Sequence, residues 1–467
     1  MRFINKFLNI GNFLDFNLLI KGYFMSSDVD YKKSYTYIFV FYYLCEGFVQ
    51  GIPFLFWPNY LADLLGGSYN IALWLAVYAI GSIPFAIKMI VGIFNDKWGS
   101  KKYGQRFPWI LSFGIFGAFW WFLMAFHLPI AEIYLWLAIY YFMTQLGMAF
   151  SDSALDGLIL DVTPKEKLSR VQGYTWTFMF LGYGIGGMGL GLIFLAIGCV
   201  PLLFIITGIL MVFSSGLTYL IKEPPIKEID TREWGKELLT VLTKKRNWKV
   251  YIYTFLGGIQ AVVLLSFFMY VILIAMGIID VQETILSIVG GGAVDMQAWS
   301  SIFYLANGVG IAMGSLVAGK FGDVSRKKTI TKTFLVYIPA CLILVIPFIF
   351  ITGNIMPLIF GIIFLILLGG LQNALVVVNQ TVRGDLSKSY YPNLKSTYFA
   401  LLVSLANLGQ TVGVIAGAVI FTIFSLFITD FFIIFFIVSA FCAISLALSF
   451  LIFRTIPAKD YELEINL

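Results

Sequence analysis

From residue 35 onward the chain alternates long apolar runs with short polar breaks. The runs fall at about 35–61, 70–94, 108–128, 133–158, 171–196 and 199–221; after a polar stretch over 222–249 they resume at 250–279, 297–319, 331–352, 355–381, 396–421 and 425–453. A helix crosses a bilayer with about 20 predominantly apolar residues, and every run reaches that length. The pattern predicts an all-α membrane protein with twelve transmembrane helices in two six-helix bundles, 35–221 and 250–454. The segments outside them, 1–34, the linker 222–249 and the tail 455–467, are expected on the cytoplasmic side.

Composition agrees with the pattern. At 60% hydrophobic, 18% aromatic and 12% charged residues, 467 residues leave no room for a large extramembrane domain, which excludes single-pass receptors and soluble enzymes. The net charge of +6 reports topology, not nucleic-acid binding. None of the 31 Lys and Arg falls in the outer breaks near 62–69, 127–132, 197, 280–296, 353 and 422, whereas acids such as Asp63, Glu132, Asp280, Glu283, Asp295 and Asp430 do. Cytoplasmic loops retain basic residues, so both termini are expected inside, in a plasma or cytoplasmic membrane. The four cysteines (Cys45, Cys199, Cys341, Cys442) read as small packing residues without metal-ligand spacing. The first 24 residues fit an interfacial amphipathic helix with Phe3, Phe7 and Leu14 toward lipid, or precede a start at Met25. In the linker, Trp234, Leu238, Val241 and Leu242 share one side, which suits a helix lying on the inner leaflet.

Two cytoplasmic loops are near copies. GIFNDKWGSKK (Gly92 to Lys102) and GKFGDVSRKK (Gly319 to Lys328) superimpose on a shift of 227 residues, bringing Gly92 onto Gly319, Asp96 onto Asp323 and Lys101 onto Lys328. An Asp at the membrane edge can accept hydrogen bonds from the free amides of another helix's N-terminus. The pair of loops resembles the major facilitator superfamily, whose signature there is Gly-x-x-x-Asp-x-x-x-basic-basic. That resemblance implies the major facilitator fold and a gating set of Gly92, Asp96, Arg106, Gly319, Asp323, Lys327 and Lys328. Asp96 would meet the start of the eleventh helix near Ser396 and Asp323 the start of the fifth near Ser169, latching the cytoplasmic side. FVQGIPF (Phe48 to Phe54), PFAIK ending at Lys88, YGQRFPW (Tyr103 to Trp109) and DSALDGLILDVTP (Asp152 to Pro164) are similar to the muropeptide permeases and their acetyl-coenzyme A and folate/biopterin transporter relatives. Melibiose-type sugar:cation symporters share a related basic-aromatic loop.

Ionisable groups within spans are costly and need a reason. Glu46, Gln50, Pro53 and Trp57 fall along one face of the first helix, and Gln145, Asp152 and Asp156 along one face of the fourth. Lys88 lies about two turns inside the second. One reading has both stripes facing a central water-filled cavity, with Glu46, Asp152, Asp156 and Lys88 carrying protons or a cation. The other is a static ion pair between Lys88 and an Asp that glues helices together. Asp161 reads as an acid anchoring the loop near Arg170. In the second half uncharged amides dominate: Gln372 and Asn379 in a row with Arg383, Asn373 with Gln380, Asn407 with Ser404 and Gln410, and Gln260 and Asn307. The substrate cavity is therefore expected to draw on Gln50, Trp57, Gln145, Gln260, Asn307, Gln372, Asn379, Arg383 and Asn407.

Other motifs lead nowhere catalytic. Gly184, Gly186 and Gly189 spell GxGxxG inside an apolar helix, which marks close packing. Phe321 stands where a P-loop needs Ser or Thr, and His127 sits near an outer helix end. No enzyme motif, cofactor site or metal site is expected. The expected function is secondary active transport of an amino-sugar or muropeptide-like organic solute by a monomer, coupled to protons. The alternatives are a sodium-coupled sugar symporter and a non-transporting receptor or scaffold on the same fold.

Overall fold

A computed structural model describes residues 31–66, 71–225, 231–278, 294–351, 353 and 355–463. The proposed amphipathic segment of Phe3, Phe7 and Leu14 lies outside the described residues, as do the outer acids Asp280 and Glu283.

The first bundle holds α1 (Lys33–Gly51, continued through Ile52–Phe56 and Trp57–Leu65), α2 (Ile71–Ala86, continued by Met89–Lys97), α3 (Phe107–Phe126), α4 (Ile133–Val162), α5 (Leu168–Tyr183, continued through Gly184–Leu190 and Gly191–Ala196) and α6 (Val200–Leu217). The linker helix α7 is Thr231–Thr243. The second bundle holds α8 (Lys245–Gly258, continued by Gln260–Ala275), α9 (Val294–Gly322), α10 (Arg326–Ile343, continued by Pro347–Phe350), α11 (Met356–Tyr390), α12 (Lys395–Ser425) and α13 (Phe431–Phe453). Among the described residues, 11 helices are long and apolar enough to cross a membrane. The remaining helix of the twelve is α10, whose first two turns carry Arg326, Lys327, Lys328 and Lys332 and whose outer end breaks before Pro347.

Each bundle has its own core. Phe39, Trp57, Trp121, Leu155 and Leu203 belong to one cluster, and Ile272, Phe303, Phe334, Leu365 and Val438 to the other. The two meet where Phe399 and Val403 of α12 enter the first cluster and Trp176 of α5 touches both.

The duplication extends to backbone contacts. A Cβ on Gly182 of α5 would collide with the Leu44 carbonyl of α1, and a Cβ on Gly409 of α12 with the Phe255 carbonyl of α8. One turn on, Gly186 repeats this against Phe48, and Gly413 against Ile259. The 227-residue shift relates α5 to α12, and a shift of 211 relates α1 to α8. Without water between helices, packing of small residues is what brings backbones this close.

α1 and α5 each contain a π-helical stretch, Ile52–Phe56 and Gly184–Leu190, and the two lie side by side. Pro53 cannot donate to the α-helical ladder, which favours the wider turn there. The linker helix departs from expectation. Trp234 and Leu238 pack on the second bundle's core and Val241 is fully buried, so this side of α7 docks on protein, whereas Leu242 is exposed. Cys45, Cys341 and Cys442 are buried, whereas Cys199 is exposed at the turn into α6 and is not a packing residue.

Candidate functional site

Pro84 interrupts the α2 ladder, and the helix breaks at Ile87 and Lys88. Lys88 Nζ then reaches across to α4, 2.9 Å from Asp152 Oδ2 and 3.2 Å from Asp156 Oδ2. Tyr43 OH donates to Asp156 Oδ1 at 2.9 Å, and Tyr42 OH to Ser151 Oγ at 2.6 Å. Gln50 donates to Glu46 Oε1 at 2.7 Å and accepts from Tyr183 OH, forming a chain from α5 to Glu46. The spacings on α1 and α4 thus bring Glu46, Lys88, Asp152 and Asp156 together. All four are 3–5% exposed, and Glu46 Oε2 and Asp152 Oδ1 have no hydrogen-bond partner among the described residues. Little of the cluster's surface reaches solvent in this conformation. The cluster is a buried ion-pair network in this conformation. Its three carboxyl groups face one ammonium, leaving two acidic groups that a proton or another cation must balance if they are to stay buried.

Trp57 leaves the stripe it was expected to share with Glu46 and Gln50. The π turn before it rotates the rest of α1, and Trp57 is fully buried against Trp74, Trp121 and Tyr141. Gln145 is buried with Nε2 unpaired.

The 227-residue shift carries Gln145, Asp152, Asp156 and Lys88 onto Gln372, Asn379, Arg383 and Ser315, and the 211-residue shift carries Glu46 onto Gly257. The second bundle therefore holds neutral groups around one guanidinium. Tyr253 OH donates to Asn379, the counterpart of Asp152, and Arg383 Nη1 donates to Gln380 Oε1 at 3.3 Å. Gln372 donates to Ala261 O on α8. Gln260 accepts from Tyr337 OH, and Asn307 donates to Leu365 O at 3.3 Å, so these two amides tie helices within one bundle. Asn407 crosses between bundles, 3.5 Å from Phe85 O.

At the end that carries the two repeated loops, two latches join the bundles. Asp96 Oδ2 accepts from Thr397 N and Oγ1, both at 2.7 Å, while Arg106 holds Oδ1 at 2.7 Å. Asp323 Oδ1 accepts from Ser169 N at 3.0 Å and Arg170 N at 3.2 Å. The motif glycines permit this approach: a Cβ on Gly92 would come within 2.9 Å of Thr397 Cα, and one on Gly319 within 3.1 Å of Ser169 O. Burial pushes the Asp323 carboxyl up to about 7, against the opposing pull of Arg326, Arg170 and the two amides.

The basic partner in the second half is Arg326, not Lys327 or Lys328, whose side chains are exposed. Arg326 pairs with Asp385 at 3.1 Å as Arg106 pairs with Asp161 at 2.8 Å. Asp161, read as a loop-anchoring acid, holds Arg106 of the loop and also meets Lys395 across the bundle boundary, whereas the nearby Arg170 pairs with Asp323. A gapless shift hid this, because the second loop is shorter and aligns Arg106 with Arg326 only after a gap. Two carboxylates that sequence reading missed cap the helices after the loops. Glu223 accepts from Gln105 N, Arg106 N and Phe107 N at 2.6–2.8 Å, and Glu462 accepts from Arg326 N and Lys327 N at 3.1 and 2.7 Å and from Ser325 Oγ at 2.9 Å. Burial raises the Glu462 carboxyl, but these amide and hydroxyl bonds outweigh it and hold the group below its usual value.

The Major Facilitator Superfamily profile matches residues 39–377. A variant of the E. coli fucose:proton symporter FucP superimposes with a TM-score of 0.60 at 13% identity, covering 89% of this chain and 98% of that one. FucP in the outward conformation superimposes at 0.57 and 15%, covering 89% and 99%. A bacterial homologue of the iron transporter ferroportin, in an outward-facing state, superimposes at 0.60 and 14%, covering 90% and 98%. No curated protein matches the sequence.

Proposed function

This chain belongs to the Major Facilitator Superfamily and is a transporter, not an enzyme; from that premise we propose that it is a proton-coupled carrier of an amino-sugar or muropeptide-like solute. The buried ion pairs of Lys88 with Asp152 and Asp156, together with the burial of Glu46 on α1 beside Gln50, carry the reading. One ammonium balances one of three carboxyl groups, so the cluster keeps its burial by holding protons on the others and can release a proton when a conformational change admits water. The latches at Asp96 and Asp323 close the cytoplasmic side, and breaking them is the step that would open it. Residues 35–221 and 250–454 act as the two rocking bundles, joined through 222–249, with 1–34 and 455–467 on the cytoplasmic side of a plasma or cytoplasmic membrane. The solute class is supported by the resemblance of Phe48 to Phe54, Tyr103 to Trp109 and Asp152 to Pro164 to the muropeptide permease branch.

The test is uptake by proteoliposomes holding the full chain, with a panel of amino sugars and muropeptides and an imposed pH or sodium gradient. A pH gradient alone is expected to drive accumulation. Glu46→Gln, Asp152→Asn and Asp156→Asn are expected to abolish uphill uptake while sparing solute exchange. Accumulation driven by sodium alone, or unaffected by all three substitutions, defeats proton coupling at this cluster.

A further inference from the structure

Three arginines are buried among the described residues: Arg106, Arg326 and Arg383. Arg106 is held by Asp96 and Asp161, and Arg326 by Asp385. Among the described residues Arg383, 5% exposed on α11, has no such partner: Nη1 reaches only the Gln380 amide oxygen at 3.3 Å, and Nε has no acceptor. The repeat shows how complete the omission is. Glu46, Lys88 and Asp152, the ionisable groups around Asp156 in the first bundle, have Gly257, Ser315 and Asn379 as their counterparts. Ser315 Oγ is taken by Asn373, and Asn379 Oδ1 by Tyr253 OH. The charge at this place is opposite to that in the first bundle, and no counterion matches it among the described residues.

An uncompensated guanidinium in a membrane bundle is costly, and its planar fork matches the oxygens of a carboxylate or phosphate. We propose that Arg383 receives an anionic group of the transported solute, a carboxylate or a phosphate; this deepens the transporter reading above and rests on it. The anion completes an ion pair that the protein leaves half made.

The experiment follows thermal unfolding of the detergent-solubilised full chain with three sugars that share a ring: N-acetylglucosamine, neutral; N-acetylmuramic acid, with a carboxylate; and N-acetylglucosamine 6-phosphate. At least one charged sugar is expected to raise Tm at a concentration roughly tenfold below any effect of the neutral one. The charged sugar that acts identifies the group. Arg383→Gln is expected to abolish that shift, Arg383→Lys to keep a weaker one, and Arg383→Gln without sugar to unfold at the same or a higher temperature than the parent. Equal responses to neutral and charged sugars, no response to either charged sugar, a response that survives Arg383→Gln, or a lower Tm for Arg383→Gln alone would each overturn the proposal. Transport itself stands or falls on the proteoliposome gradients, so the two failures are separable.

Discussion

In the first bundle a lysine sits among three carboxyl groups; at the superposable place in the second an arginine sits among amides. Everything around these two centres is close to a copy. The glycine contacts of α5 on α1 recur in α12 on α8, the latch at Asp96 recurs at Asp323, and the Arg106–Asp161 pair recurs as Arg326–Asp385. Even the caps correspond, Glu223 on α3 and Glu462 on α10. The framework of a duplicated membrane protein is constrained by backbone approach and by satisfied helix ends, which work equally well in either half. Its centre is free to diverge, because charge there is paired within the protein or left for something else to pair.

The sharpest test of that contrast removes each central cation. Lys88→Ala leaves three carboxyl groups without their ammonium and is expected to cost about 3–5 kcal/mol, with Asp152→Asn in the same chain recovering part of it. Thermal unfolding reads this directly, and a Lys88→Ala protein as stable as the parent would dissolve the distinction between the two centres. Next come the shared glycines. Gly182→Val and Gly409→Val each drive a side chain into a carbonyl and are expected to cost about 1–3 kcal/mol or more, and similar amounts in the two halves. A large difference between them would mean that the framework is less symmetric than its geometry.

Smaller effects belong to the latches. Asp96→Asn is expected to weaken the closed state by about 1 kcal/mol. Thiol labelling of cysteines placed at Ser396 and Ser169 should speed up accordingly. The second latch also titrates. In the closed state the Asp323 carboxyl is raised to about 7 from 3.8, so that state holds an extra proton between the two values. Its advantage is full below the lower value and is lost as pH rises through about 7. Labelling at Ser169 should therefore quicken between acidic and neutral pH and level off above, and Asp323→Asn should remove this dependence.

The smallest effect is at the tail. Glu462 is held below its usual value, so its cap on α10 is present at neutral pH and lost as the medium becomes more acidic than the ordinary Glu range. Glu462→Gln should raise hydrogen exchange at the Arg326 and Lys327 amides at neutral pH. Unchanged exchange there would show that the tail does not cap this helix.

Much of this was readable in one dimension. Apolar runs of sufficient length impose helices, because no other open structure satisfies the backbone in lipid, and the repeated Gly and Asp of two loops announced both the duplication and the latches. The register of Glu46 with Gln50 and of Asp152 with Asp156 followed from helical spacing. Trp57 escaped the same rule because the π turn over Ile52–Phe56 changes the period midway along α1. Arg326 was hidden by a gap in the repeat, and Glu223 and Glu462 by distance along the chain, since nothing local distinguishes an acid that caps a remote helix from one in solvent. α7 looked fit for lipid because amphipathicity states that an apolar face is covered, not by what.

The order of residues thus settled that the chain crosses a membrane many times, that it is built from two related halves, and where ionisable groups enter the spans, since each of these depends on local composition and periodicity. Which charges meet was decided in three dimensions. Lys88 between Asp152 and Asp156, Asp161 between Arg106 and Lys395, and Arg383 with no carboxylate partner among the described residues are matters of how helices remote in sequence pack and turn. The energy of a buried charge depends on its neighbours within a few ångströms, and those neighbours are chosen by packing.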